Sequence, residues 1–113
     1  MRKKRDVLRI GYKDYTVSFV SKFPCRGQVG ECELAELNKN INGRIRIKKG
    51  MDDTEKVNTI IHEVLHAIWY THGIGLGDQT EERVICAITN GLMAFIRDNP
   101  RYVIKLLRLA LKK

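Results

Sequence analysis

Long apolar stretches are missing from this chain: no run approaches the roughly 18 to 20 residues that a membrane-spanning helix needs. The start is basic but has no signal-peptide core, because Val7-Leu8-Arg9-Ile10 is already interrupted by charge. Cysteine is scarce. Cys25, Cys32 and Cys86 form no even framework and fit no CxxC zinc or redox spacing. Reduced thiols in a cytoplasmic protein are the expectation, although a Cys25–Cys32 disulfide is sterically possible. There are two prolines, no repeat, no low-complexity tract and no Pro/Ser-rich linker. Nothing divides the chain, and 113 residues suit one domain.

What is present in excess is positive charge: 21 Lys and Arg stand against 13 Asp and Glu, a net of +8. The excess sits at the ends. Residues 2–5 (Arg-Lys-Lys-Arg) hold four positive charges, and residues 101–113 hold five with no acid among them. The body, residues 6–100, has 12 basic and 13 acidic side chains and is nearly neutral. With no zinc-finger, RNP or GxxG pattern, a nucleic-acid partner rests on charge alone. At 43% apolar and 30% charged, the composition is that of a globular domain and excludes a fully disordered chain.

Residues 1–6 read as a basic arm, 7–50 as a β region and 52–113 as a helical region. Residues 7–12 and 15–20, rich in β-formers, flank Lys13-Asp14 as an opening hairpin. Residues 21–30, with Pro24, Gly27 and Gly30, read as loop. Residues 33–41 and 44–48 flank Asn42-Gly43, a strong two-residue hairpin signal. Ile45 and Ile47 alternate with Arg44, Arg46 and Lys48, which suits a half-exposed strand near a sheet edge.

The second half changes to helical period. Asp52, Asp53 or Thr54 can cap a helix running to about residue 71 or 72, with Val57, Ile60, Ile61, Val64, Leu65 and Ile68 as its buried stripe. Thr80 can cap a second helix over about 81–97, with Val84, Ile85, Ile88, Leu92 and Phe95 inward. Pro100 can open a short third helix over about 101–111. Its apolar side, with Tyr102, Val103, Leu106, Leu107 and Leu109, is expected to pack on the domain; a membrane-surface or partner helix is the other reading. Strands followed by helices make the fold class α+β, with N-terminal antiparallel hairpins.

His62-Glu63-Val64-Leu65-His66 is an HExxH sequence inside the first helix. Residues i and i+4 differ by about 40° around a helix and about 6 Å along it, so both imidazoles reach one point. Two neutral imidazoles leave room on zinc for a third ligand and a water, and Glu63 projects where it can take that water's proton. Four residues compete as third ligand. His72 has the HExxHxxGxxH spacing, but Trp69 stands where that pattern needs glycine. On a continuous helix His72 lies about 9 Å beyond His66 and about 120° away. Asp78 serves only if its glycine loop folds back. Glu81 and Glu82 open the next helix, and helical phase favours Glu82 at the edge of the apolar stripe over Glu81 at its centre. Tyr70 and His72 are the nearest candidates for a second electrophile, and Trp69 reads first as packing.

The pieces IIHEVLHAI, EERVICAITNGL and RDNPRYVIKLL resemble the small HExxH metallopeptidases of phages and other mobile elements, related to the ImmA/IrrE-type zincins. The resemblance covers somewhat under half the chain. It implies a zincin-like fold and a cytoplasmic hydrolase that cleaves a protein or peptide substrate. It also implies one zinc ion on His62, His66 and Glu82, with Glu63 as catalytic base. The Arg44–Lys48 strand, basic on one face, is an expected docking edge for an extended acidic peptide. The alternative is a non-catalytic, metal-containing binding module whose basic ends contact nucleic acid or a partner protein. An intact Glu63 favours catalysis, and a purely structural zinc site is more often closed by four protein ligands.

Overall fold

The computed structural model describes residues 6–36, 41–72 and 78–112. Four strands, β1 (Asp6–Ile10), β2 (Lys13–Val20), β3 (Gly30–Glu33) and β4 (Gly43–Lys48), precede three helices, α1 (Asp53–Thr71), α2 (Asp78–Asp98) and α3 (Pro100–Ala110). The α+β expectation holds at this level. The sheet is mixed rather than built of antiparallel hairpins, in the order β1-β2-β4-β3. β1 and β2 pair antiparallel, β2 and β4 parallel, and β3 and β4 antiparallel.

The opening hairpin forms, but Ile10 pairs with Lys13 and the turn is Gly11-Tyr12, two residues earlier than expected. Gly11 supplies the positive φ, 64°, that such a tight turn requires. The second hairpin differs more. Glu33 pairs with Arg44, Glu36 bridges Ile41 among the described residues, and β3 begins inside the expected loop. Asn42-Gly43 makes no two-residue turn because Gly43 is needed elsewhere. It lies in β4 opposite Tyr15, and a Cβ there would run into the Tyr15 ring. Tyr15 is buried, and its hydroxyl accepts a hydrogen bond from the Ala35 amide at 3.1 Å.

β4 is not an edge strand. The alternation within it holds, with Ile45 and Ile47 fully buried, but β2 and β3 flank it on both sides. Its basic residues mark the open face of the sheet, where Arg44 pairs with Glu33 at 2.8 Å and Arg46 with Glu31 at 2.8 Å. The basic strip proposed for an acidic peptide is therefore largely neutralised by β3, and its backbone is already paired.

On the other face α1 covers the core of Ile10, Tyr15, Val17, Ala35, Ile45, Ile47 and Ala67. Asp52 caps α1, its Oδ1 accepting from the Glu55 amide at 2.8 Å. The buried line is Thr59, Glu63 and Ala67, with Ile60 and Val64 packed against the core; Val57 and Ile68, expected inside, are exposed. Counting apolar residues misplaced this stripe because two of its members are polar. Thr59 is satisfied locally, donating to the Glu55 carbonyl at 2.8 Å.

α2 begins three residues before the expected start and meets only α1 and α3 among the described elements. A narrow strip, Ile85 and Thr89, is thus buried, while Ile88, Leu92 and Phe95 stay exposed. α3 starts at Pro100 after Asn99 and, among the described elements, packs against α2 alone, with no buried residue. The expected packing of its apolar side on the domain does not occur. No described helix is long and apolar enough to cross a membrane.

Candidate metal centre

α1 presents His62, Glu63 and His66, and the first turns of α2 face them with Glu81 and Glu82. The Nε2 atoms of His62 and His66 lie 3.2 Å apart. Glu82 bridges them, Oε1 standing 2.7 Å from His62 Nε2 and Oε2 2.9 Å from His66 Nε2. These three side chains offer ligand atoms that all lie within 4.8 Å of one another. Its donors are two imidazoles and a carboxylate.

Glu81 has a different task. Its Oε2 is 2.7 Å from His66 Nδ1, on the far side of the ring from Glu82. A carboxylate only accepts, so this contact places a proton on Nδ1 and leaves Nε2 of a neutral imidazole as a lone pair. That lone pair faces both His62 Nε2 and a Glu82 oxygen. Such an arrangement needs a proton or a cation at its centre. Two ring nitrogens bound tetrahedrally to zinc at 2.0–2.1 Å are about 3.3 Å apart, close to the 3.2 Å found here. The donor set therefore could hold a divalent ion. Two nitrogens and a carboxylate also suit other divalent transition metals, so the cluster is not specific to zinc.

Glu63 occupies the buried line of α1 at 7% exposure, beside a cavity of about 270 Å³ lined by Val29, Gly30, Asn58, Thr59, His62, Glu63 and Glu82. Burial pushes its carboxyl up to about 7, against the lowering effect of His66, and Glu82 and Glu31 add to the rise. The approach of α1 to β3 depends on Gly30. A Cβ at that position would stand 2.6 Å from Thr59 Cγ2 and 2.8 Å from Glu63 Oε2. Sequence gave no hint of this contact, since Gly30 looks like loop punctuation until β3 is placed.

Among the described residues, His72 stands apart from the cluster. His72 caps the C-terminus of α1 and lines a separate cavity with Leu8, Arg9, Ile10, Gly11, Val64 and Ile68. Asp78 opens α2 rather than lying in a loop, and its side chain is outside the described residues. Neither Tyr70 nor Trp69 lines the cavity at Glu63. Trp69 is half-buried, and its sheltered Nε1 has no hydrogen-bond partner among the described residues. Cys86 was not anticipated: one turn beyond Glu82, its Sγ is 3.7 Å from Glu82 Oε1 and 3.9 Å from His62 Nδ1. The contact with Glu82 joins residues four apart on one helix, a spacing visible in the sequence. All three cysteines are free thiols.

No protein-family model matches this chain, and no curated protein or solved structure does either.

Proposed function

We propose that the chain is a zinc-dependent peptidase, with His62, His66 and Glu82 as metal ligands and Glu63 as general base. The observation that carries this reading is the bridging Glu82 carboxylate on two converging imidazole Nε2 atoms, set beside a buried glutamate that faces a cavity. The likeness of the HExxH helix and its glutamate helix to the mobile-element metallopeptidases supports it from the sequence side.

His62, His66 and Glu82 would hold the ion, which when bound would supply Lewis-acid polarisation of a water and a substrate carbonyl. Glu63 takes the water's proton on its carboxylate, holds it out of bulk solvent, and returns it to the leaving amine. Glu81 fixes the tautomer of His66 and so the direction of its Nε2. With β4 enclosed, an extended substrate would pair with β3, the edge strand whose Gly30 lines the same cavity as Glu63.

Metal analysis of wild type beside His66→Ala and Glu82→Ala tests the site. One zinc per chain in wild type, lost in both variants, is expected; zinc that survives both substitutions refutes the ligand assignment. Peptidase activity against an unfolded protein substrate then tests the chemistry. If Glu63→Gln keeps its metal and full activity, the role given to Glu63 is wrong.

A further inference from the structure

We infer that α3 is an anchor for anionic bilayer surfaces. At 100° per residue Arg101, Lys105 and Arg108 fall within an arc of about 60°, and Lys112 follows just past the helix end. The other positions of the helix are apolar, and that side is uncovered: Tyr102, Leu106, Leu107 and Leu109 are all exposed, Leu107 at 56% and Leu109 at 58%. Half-buried Val103 faces inward, and α2 is the one described element that α3 touches. Asn99 and Pro100 separate the two helices, with Asn99 Nδ2 closing the end of α2 on the Phe95 carbonyl at 3.1 Å.

The sign of the charge selects the occupant. A helix that merely buries its apolar side against another protein has no need of a polar arc of one sign. The nearly neutral body mixes its charges, as Glu81, Glu82, Arg83, Arg97 and Asp98 do along α2. Residues 101–113 contain five basic side chains and no acid. An anionic bilayer uses both halves of such a helix, taking the leucines into the acyl boundary while the Lys and Arg stems reach phosphate. Eleven residues are about 16 Å of helix, too short to span the hydrocarbon and long enough to lie along it.

Flotation of the full chain with phosphatidylcholine vesicles, and with vesicles of phosphatidylcholine and phosphatidylglycerol mixed three to one, tests this. Binding to the anionic vesicles is expected to exceed binding to the neutral ones by about tenfold or more, and to weaken as salt rises. Leu107→Asp, at an exposed position where folding is not at stake, should lower anionic binding by about tenfold. Lys105→Glu, which keeps the apolar face, should lower it by a similar factor. Circular dichroism confirms that both variants keep their helix content. Equal binding to both vesicle types overturns the inference. So does anionic binding that Leu107→Asp leaves intact, which would assign the attraction to the basic arm at residues 2–5. A concentration-dependent dimer that Leu107→Asp dissolves, without vesicle binding, would assign the apolar face to a second copy and likewise overturn it.

Discussion

Replacing Glu81 tests whether the proposed ligand, Glu82, can be told apart from the residue proposed to aim His66. Glu81 and Glu82 are adjacent, both touch His66, and either could have supplied the third ligand on sequence grounds. The geometry divides them: Glu82 contacts Nε2 of both histidines, whereas Glu81 contacts only Nδ1 of His66 at 2.7 Å. In Glu81→Ala the donor set remains, but the His66 ring loses the partner that fixes its tautomer and orientation. Loss of an outer partner of this kind typically weakens metal binding by about 10- to 100-fold, roughly 1.4 to 2.7 kcal/mol. Glu81→Gln keeps an oxygen that can accept from Nδ1–H and gives up the charge, so its loss should be smaller. Glu82→Ala removes donor atoms and should weaken binding more than either. Competition between each protein and a chromophoric chelator for zinc measures all three. Glu81→Ala binding as tightly as wild type would refute the outer-partner role. Glu81→Ala losing as much as Glu82→Ala, or more, would make Glu81 itself a ligand.

Three further outcomes are expected. Gly30→Ala should lower stability by about 1–3 kcal/mol in urea unfolding, because its Cβ has no room against Thr59 and Glu63; unchanged stability would mean that β3 and α1 do not approach as described. In protein stripped of metal, Glu63 binds its proton more tightly folded, at about 7, than unfolded, near 4.5. The folded state then holds more protons between those values, so stability falls as pH rises from about 4.5 to 7, and Glu63→Gln should flatten that decline. A wild-type profile no steeper than that of Glu63→Gln argues against the buried carboxyl. The Cys32 thiol is pushed up to about 12 by burial and by the Glu63 and Glu31 carboxylates, so iodoacetamide at mildly alkaline pH should modify exposed Cys25 well before Cys32. Equal rates in the folded protein would contradict that burial.

The convergence of His62, His66 and Glu82 was legible because much of its information is local. HExxH spacing on a capped helix brings two imidazoles together by helix geometry alone, and Glu82 shares a strip with Ile85 and Thr89, which are buried. The sheet was less legible, because strand partners are set by contacts far apart in sequence. Gly43 carries a turn signal in its own neighbourhood and is spent instead on the Tyr15 ring, a residue 28 positions earlier. Arg44 and Arg46 looked like edge charges until Glu31 and Glu33 were placed beside them. The helix stripes were overdrawn for a related reason. Apolar periodicity reports what can be buried, while the number of elements that pack on a helix decides how much is.

The isolation of α2 has a mechanical consequence. α2 joins the rest of the described fold through α1, and α3 joins it through α2, so everything from residue 78 to 112 hangs on one seam. Within that seam are Ile85, Thr89, the 3.3 Å hydrogen bond from Asn58 to Asn90, and the His62, His66 and Glu82 cluster. An ion held by that cluster is also a rivet between two helices. Its removal should speed amide exchange along α2 and α3 together and leave the four-stranded sheet protected, which makes the C-terminal half a reporter of metal occupancy.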